Sequence, residues 1–181
     1  MIKLLKIAEL GEPVLLEIAK PVRNIKDAGI QELINEMIAM CEKDNGVGIA
    51  APQVFQSLRI IIVHSFPSPR YPYAPEFGPE AMINPKITKK SKEKEKGWEG
   101  CLSIPGIRGL VPRHKEITVK YTTRDGELKT MEAKDFVARV IQHEVDHLDG
   151  RLCFLYFLCR KESIKDLASE KVWQKKITAK K

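Results

Sequence analysis

Two histidines, His143 and His147, lie four residues apart in the stretch QHEVDHLDG. On a helix this spacing puts both imidazoles on one face, where they can bind a single metal ion. Glu144 follows the first histidine, and its carboxylate can take a proton from a metal-bound water whose pKa is lowered toward about 7. The alternative is two surface histidines on an amphipathic helix. Because two of the four histidines in the chain occur here, we favour a hydrolytic metal centre.

A catalytic centre of this kind needs a third protein ligand and an open fourth position. The sequence offers two thiols for it: Cys101 in the upstream stretch EGCLS, and Cys153, six residues after His147. Spacing alone leaves both open. Cys153 lies in the apolar run LCFLYFL, which is typical of a buried strand and favours a packing role for this thiol.

A third motif, GVGIAAPQ, occupies residues 46–53. Its two glycines permit close approach of the backbone, and Gln53 brings a neutral hydrogen-bond donor to the cleft that the turn borders. A purely structural turn is the alternative. A nucleotide-binding loop is disfavoured because no strand precedes the GxG and no third glycine follows it.

The elements that must position these residues follow from the apolar pattern. Helical spacing predicts one helix over residues 28–42, capped by Asp27 and stopped at Asn45-Gly46, and a second over about 135–148, ended by Gly150. Runs of β-branched residues predict strands over 59–63, 81–88, 116–123 and 127–132, with an Asp125-Gly126 hairpin turn joining the last two.

Two further segments are predicted to lie at the surface. Residues 66–80 hold five of the eleven prolines and four aromatic residues, which predicts a stiff loop that serves as a lid, a contact patch or a plain connection. The lysine-rich stretch 86–96 predicts a solvated hairpin or turn.

Composition sets the outer bounds on function. The 181 residues carry 31 basic and 24 acidic side chains, a net charge of +7, and residues 160–181 supply +5 of it. The length and the 43% hydrophobic content predict a single folded domain. The chain shows neither an apolar span of about 20 residues nor an export signal, so we expect a cytoplasmic protein with reduced cysteines and no membrane contact.

Taken together, GVGIAAPQ, EGCLS and QHEVDHLDG resemble the three signature motifs of the peptide deformylases, in the same order, over about residues 5–155. The resemblance implies an α+β fold in which antiparallel β-sheets surround a central helix that carries the HExxH motif. We expect a catalytic domain over residues 1–158 and a basic extension over 159–181. The implied reaction removes the N-formyl group from the N-terminal formylmethionine of new polypeptides and releases formate.

The same resemblance implies roles for individual residues. Cys101 becomes the third metal ligand beside His143 and His147, and Cys153 becomes structural. A metal-bound water attacks the formyl carbon, with Glu144 as general base and then acid. The Gln53 side-chain amide and the Leu102 backbone N–H stabilise the oxyanion. Positions that contact the peptide backbone in the family are matched by Gly48 and Arg108.

The metal is one divalent ion, and family likeness implies Fe²⁺ as the native one, with Zn²⁺, Ni²⁺ or Co²⁺ as substitutes. A thiolate ligand makes the ion a milder Lewis acid and suits a softer metal. Ligand type alone favours zinc.

Methionine specificity requires an apolar pocket near the metal. Phe136 and Val140 share a helix face with His143, and Val47 is expected to close the pocket. Arg139 shares that face and departs from the apolar residue common there; we expect its stem to line the pocket while its head reaches water. Three charged residues are candidates for orienting the ligands: Glu99, Arg113 and Asp146.

The expected partners are N-formylmethionyl nascent chains and, through residues 160–181, the ribosome; we expect a monomer. One rival interpretation is a metalloprotease with Cys153 as the third ligand. A second rival is a basic RNA-binding module with a structural metal. The second is disfavoured because structural sites normally have four protein ligands.

Overall fold

The computed structural model describes residues 5–152 and a short strand at 164–166. This part of the chain contains helices α1 (Ala28–Lys43) and α2 (Asp135–Leu148) and short 3₁₀ helices at Pro13–Leu15 and Ala51–Val54. The strands are β1 (Gly48–Ala50), β2 (Ile60–Ser65), β3 (Phe77–Lys90), β4 (Lys94–Cys101), β5 (Ile104–His114), β6 (Glu116–Thr122), β7 (Leu128–Lys134) and β8 (Ile164–Asp166). The predicted apolar strand around Cys153, the domain boundary at 158 and most of the basic segment lie outside the described residues.

Both predicted helices are present at nearly the predicted bounds. α1 begins where predicted because the Asp27 carboxylate accepts hydrogen bonds from the backbone N–H groups of Gly29 and Ile30, at 2.9 and 3.3 Å. α2 ends before Gly150, which has a φ of +66° and whose added Cβ would lie 2.5 Å from the Leu16 carbonyl oxygen. Neither helix is long and apolar enough to cross a membrane, within the residues described.

The strands form two antiparallel sheets, one of five strands in the order β1-β2-β3-β6-β7 and one of three in the order β4-β5-β8. α2 contacts strands of both sheets, including β1, β2 and β5. The structure therefore confirms the α+β fold with antiparallel strands around the central helix.

The five-stranded sheet separates two apolar cores. Along β2, Ile60 and Ile62 pack on the α1 side, whereas Ile61 and Val63 pack on the α2 side. All four side chains are fully buried, as expected for a strand covered on both faces. This burial fixes α2, and the histidines on it, against a rigid sheet.

Two predictions about the surface segments need correction. The proline-rich loop ends at Glu76, since residues 77–80 belong to β3. Pro79 lies where the register of β3 against β2 shifts, between the pairs made by Phe77 and Glu80, and β6 pairs with β3 only from Ile83 onward, so Pro79 has no regular place in either ladder. In the lysine-rich stretch, residues 86–90 end β3 and residues 94–96 begin β4, so the predicted turn is limited to residues 91–93. The hairpin alternative is wrong because β3 and β4 belong to different sheets. The Asp125-Gly126 hairpin turn is confirmed by the pairing of β6 with β7.

Cys41 belongs to the core under α1 and is fully buried, with its thiol donating to the Gly46 carbonyl oxygen at 3.3 Å. Burial raises the pKa of this thiol to about 12, and the charge of Glu144 adds to the shift. We therefore expect Cys41 to resist alkylation by iodoacetamide in the native protein at about pH 8 and to react once the chain is denatured. Peptide mapping by mass spectrometry checks this. Labelling of Cys41 at equal rates in both states would contradict it.

Candidate metal centre and active site

Cys101, His143 and His147 converge at one point between the two sheets. Their ligand atoms all lie within 4.8 Å of one another, and the Cys101 Sγ is 3.2 Å from the His147 Nε2. Both histidines are buried, at 8% and 1% exposure, and Cys101 is half-buried. One thiolate with two imidazoles is a donor set that fits a divalent transition metal and leaves a fourth position open.

Local structure explains this convergence. The histidines occupy successive turns on the buried side of α2, as their spacing predicts. Cys101 is the last residue of β4, where the register against β5 shifts between Gly100 and Cys101 so that Cys101 pairs with Ile104. A tight turn at Leu102 and Ser103 follows, and Leu102 lines the same cavity as Cys101.

Glu99 organises the surroundings of His143. Its carboxylate accepts from the His143 Nδ1 at 2.9 Å, from the Arg113 Nε and Nη2 at 2.9 and 3.0 Å, and from the Arg139 Nη1 at 2.9 Å. Burial opposes ionisation of Glu99, but the hydrogen bonds from His143 and Arg113 outweigh it and lower the pKa to about 2. An ionised Glu99 holds the proton on Nδ1 and leaves the His143 Nε2 for a metal. Arg113 also binds the Asp146 Oδ2 at 2.5 Å, so all three residues predicted to orient the ligands belong to one network.

Glu144 is 4% exposed, and its Oε2 has no hydrogen-bond partner among the described residues. Burial raises the pKa of this carboxyl to about 7 and outweighs the opposing coulombic interactions with the two neighbouring histidines. A carboxyl with a pKa near the operating pH is suited to general base catalysis.

Gly48 makes room for that carboxylate. A Cβ at this position would lie 2.5 Å from the Glu144 Oε1 and 2.9 Å from its Cδ and Cγ. The resemblance implied a contact between Gly48 and substrate backbone. The structure adds a second reason for glycine that depends on the fold and could not be read from the motif.

Gly48→Ala is therefore expected to displace the Glu144 carboxylate and to lower kcat/KM by about 10–100-fold, since a misplacement of about 1 Å can cost about 100-fold. Formate release and metal content, measured together, check this, and the metal content is expected to remain normal. In a Glu144→Gln background, Gly48→Ala should cost nothing further, because both changes act through the same side chain. Additive losses would contradict this explanation.

Gln53 is buried and held in one orientation. Its Oε1 accepts from the Ala50 N–H at 2.9 Å, which directs the Nε2 toward the Cys101 Sγ at 3.4 Å and the Ser103 Oγ at 3.2 Å. The amide N–H groups thus point toward the side of the centre at which Cys101 lies.

A cavity of about 270 Å³ opens beside the ligands. Every residue predicted above as a metal ligand, catalytic group or substrate contact lines it except His147, which is only 1% exposed. Tyr71 of the proline-rich segment also lines it and was not singled out from the sequence. Its ring lies 5.1 Å from that of Phe136 and 5.3 Å from the Arg108 Cζ, and the Arg108 Nη2 donates to its hydroxyl at 3.3 Å. The four aromatic residues in that segment are the sequence feature that could have indicated a contribution of the segment to the cavity wall.

One expectation about the pocket is wrong. The Arg139 side chain is only 13% exposed, and its guanidinium does not extend into water. It binds Glu99 and backbone carbonyl groups of β4 and β5 instead. The sequence indicated the helix face of Arg139 but not the strand against which that face packs.

Comparisons with known proteins show the family to which the chain belongs. The family profile described as polypeptide deformylase matches residues 4–161. Peptide deformylase 2 of Nostoc sp. strain PCC 7120 is 56% identical over 176 residues, which cover 97% of this chain and 96% of that protein. The Met-Ala-Ser-bound class I type b peptide deformylase of Acinetobacter baumannii is 47% identical with a TM-score of 0.82, covering 84% of this chain and 97% of that one. The peptide deformylase of Thermotoga maritima is 38% identical with a TM-score of 0.73, covering 83% and 95%. This chain belongs to the polypeptide deformylase family, the metal-dependent hydrolases that remove the N-formyl group from nascent peptides.

Proposed function

We propose that deformylation by this chain takes place at the centre formed by Cys101, His143 and His147, with Glu144 as the general base. The observation that carries this proposal is the convergence of the three ligand atoms within 4.8 Å, next to a buried carboxylate that has an unpartnered oxygen. A buried carboxylate oxygen without a partner costs free energy, and groups of this kind cluster at functional sites.

Each residue has a defined task in this proposal. A divalent ion, when bound, supplies Lewis acidity that polarises the formyl carbonyl and acidifies a water molecule. The Glu144 carboxylate takes a proton from the water that attacks the formyl carbon. It then gives this proton to the α-nitrogen of the N-terminal methionine as the bond between that nitrogen and the formyl carbon breaks. The products are formate and a free amino terminus.

The neighbouring residues hold the substrate and the developing charge. The Gln53 Nε2–H and the Leu102 backbone N–H donate to the oxygen that becomes negative. Val47, Phe136 and Val140 provide an apolar wall for the methionine side chain, since all three line the cavity. Arg108 and Gly48 are proposed to bind the peptide backbone beside it.

Two arguments disfavour the rival interpretations. A structural metal in an RNA-binding module would be closed by four protein ligands, whereas three converge beside a cavity in the part of the chain that the structure describes. A metalloprotease that used Cys153 would leave no role for Cys101. The Cys101 Sγ, however, lies 3.2 Å from the Nε2 of His147 in the HExxH motif.

The native metal is proposed to be Fe²⁺, with Zn²⁺, Ni²⁺ or Co²⁺ as substitutes. The decisive experiment is anaerobic purification with metal analysis, alongside formate release from a formyl-Met peptide. We expect about one iron per chain, activity that is lost on chelation and restored by Fe²⁺, and no turnover of the matched acetyl-Met peptide. Formate release that is insensitive to chelation would overturn the metal-dependent proposal.

The setting of the reaction is also proposed. Because the substrates are nascent chains, the protein is expected to act in the cytoplasm, and the basic segment 160–181 is proposed to assist docking on the ribosome. Eight basic residues there can bind the phosphate backbone of RNA. Truncation after Cys159 should weaken ribosome binding and reduce its salt dependence, and unchanged binding would overturn this proposal. The expectation of a monomer stays a prediction that light scattering tests.

A further inference from the structure

The three proposed ligands come from two separate elements. Cys101 ends β4 in the three-stranded sheet, whereas both histidines lie on α2, which is packed into the core of the five-stranded sheet. The geometry of the metal centre therefore depends on whatever fastens β4 to α2.

Arg139 makes that connection. It lies one turn before His143 on α2, and its guanidinium reaches across to β4. The Nη2 donates to the Glu95 carbonyl oxygen at 2.8 Å, and the Nη1 donates to the Glu99 carboxylate at 2.9 Å and lies 3.5 Å from the Gly97 carbonyl oxygen. Positions 95, 97 and 99 are two residues apart from one another along the strand, so they lie on the same face of β4, the one that packs toward α2.

The same guanidinium also joins the neighbouring strand. Its Nη1 donates at 2.9 Å to the carbonyl oxygen of Val111, the residue of β5 that pairs with Gly97. One planar head group thus bridges the helix and both strands of the β4–β5 hairpin, in which Cys101 is the last residue of β4. A lysine, with a single ammonium group, cannot reach all of these acceptors together.

The absence of a side chain at Gly97 leaves the space that the Arg139 guanidinium occupies. A Cβ at position 97 would lie 2.6 Å from the Arg139 Cζ and 2.8 Å from its Nε and Nη2. Because the Arg139 side chain is only 13% exposed, the guanidinium has little room to move aside.

We propose that Arg139 is a positioning residue: it clamps β4 to α2 and so fixes Cys101 relative to His143 and His147. This proposal rests on the metal centre proposed above. Arg113 provides a second connection, since it binds both Glu99 and Asp146. Loss of Arg139 should therefore loosen the centre without abolishing it.

The test uses the full chain loaded with Co²⁺, whose absorption reports both coordination geometry and thiolate ligation. Arg139→Met keeps the apolar stem but removes every hydrogen bond, and Arg139→Lys keeps the charge. The matched control is Arg124→Met. Arg124 is another half-buried arginine, and it donates hydrogen bonds to Gln31 and Asn35 of α1, a helix that carries none of the proposed ligands.

We expect Arg139→Met to speed the transfer of Co²⁺ to a chelator by about 10–100-fold, the usual cost of losing a residue that orients metal ligands, and to change the thiolate-to-cobalt absorption band. Arg139→Lys should not rescue either property. Arg124→Met should lower the Tm while leaving the transfer rate and the spectrum as in the parent protein.

A second route covers the case in which Arg139→Met does not fold. Gly97→Ala retains Arg139 but displaces its guanidinium, and it should produce the same faster metal loss. If these variants lower the Tm yet keep the parent transfer rate within about twofold and the parent spectrum, Arg139 is merely structural and the proposal is wrong. Absence of a thiolate-to-cobalt band in the parent protein would instead overturn the metal centre itself.

Discussion

Glu144→Gln is expected to lower kcat/KM for formyl-methionyl peptides by about 10²–10⁴-fold, the usual contribution of a general base. The substitution preserves the size of the side chain but replaces the ionisable carboxylate with a neutral amide that cannot take up a proton. Because Glu144 is not one of the three converging ligands, the metal content should stay at the parent level. Formate release and metal analysis on the same preparation measure both quantities.

Two controls separate this loss from a loss of structure. Glu144→Gln should be no less stable to heat than the parent, because the native carboxylate is buried with an unpartnered oxygen. Glu132→Gln, the same change at an exposed position on β7, should leave kcat/KM within about twofold. Retention of more than about a tenth of the activity in a fully metal-loaded Glu144→Gln protein would contradict the assigned role.

Cys101→Ser is expected to have the larger effect on the metal. Changes to residues that only orient metal ligands cost about 10–100-fold in affinity, so loss of a thiolate ligand should cost more than about 100-fold. The protein should be purified with little metal, and formate release should fall in proportion to the metal that remains. Metal analysis after dialysis against a weak chelator checks this.

Two other cysteines provide the controls. Cys41→Ser replaces a fully buried thiol on α1 and should leave the metal in place, since Cys41 lies in the core under α1. Cys153→Ser tests the rival third ligand directly. Loss of metal with Cys153→Ser, together with retention in Cys101→Ser, would overturn the ligand set and support a metalloprotease-like centre.

The local features of this site could be predicted from the sequence because local periodicity determines them. The spacing of His143 and His147 placed both on one face of α2, and Asp27 marked the start of α1 through an ordinary capping interaction. The hairpin at Asp125-Gly126 followed from turn chemistry in the same way. Each of these depends on residues within a few positions of one another.

The features that were missed depend on contacts between distant segments. The surroundings of Arg139 depend on the register of β4 against β5 and on the absence of a side chain at Gly97. The approach of Tyr71 to Phe136 and Arg108 depends on how the loop folds back over the site. Such pairings have no periodic signal in one sequence, so a motif identifies the ligands more readily than the residues that position them.

The central claim is that one thiolate and two imidazoles of this chain hold the catalytic metal. X-ray absorption at the metal edge of the anaerobically purified protein tests it most directly. We predict one sulfur ligand and two imidazole nitrogen ligands. If the protein is loaded with zinc, the zinc–sulfur distance should be about 2.3 Å and the zinc–nitrogen distances about 2.0–2.1 Å. The sulfur contribution should disappear in Cys101→Ser reloaded with metal. A first shell without sulfur in the parent protein, or one whose sulfur persists in Cys101→Ser, would contradict the account.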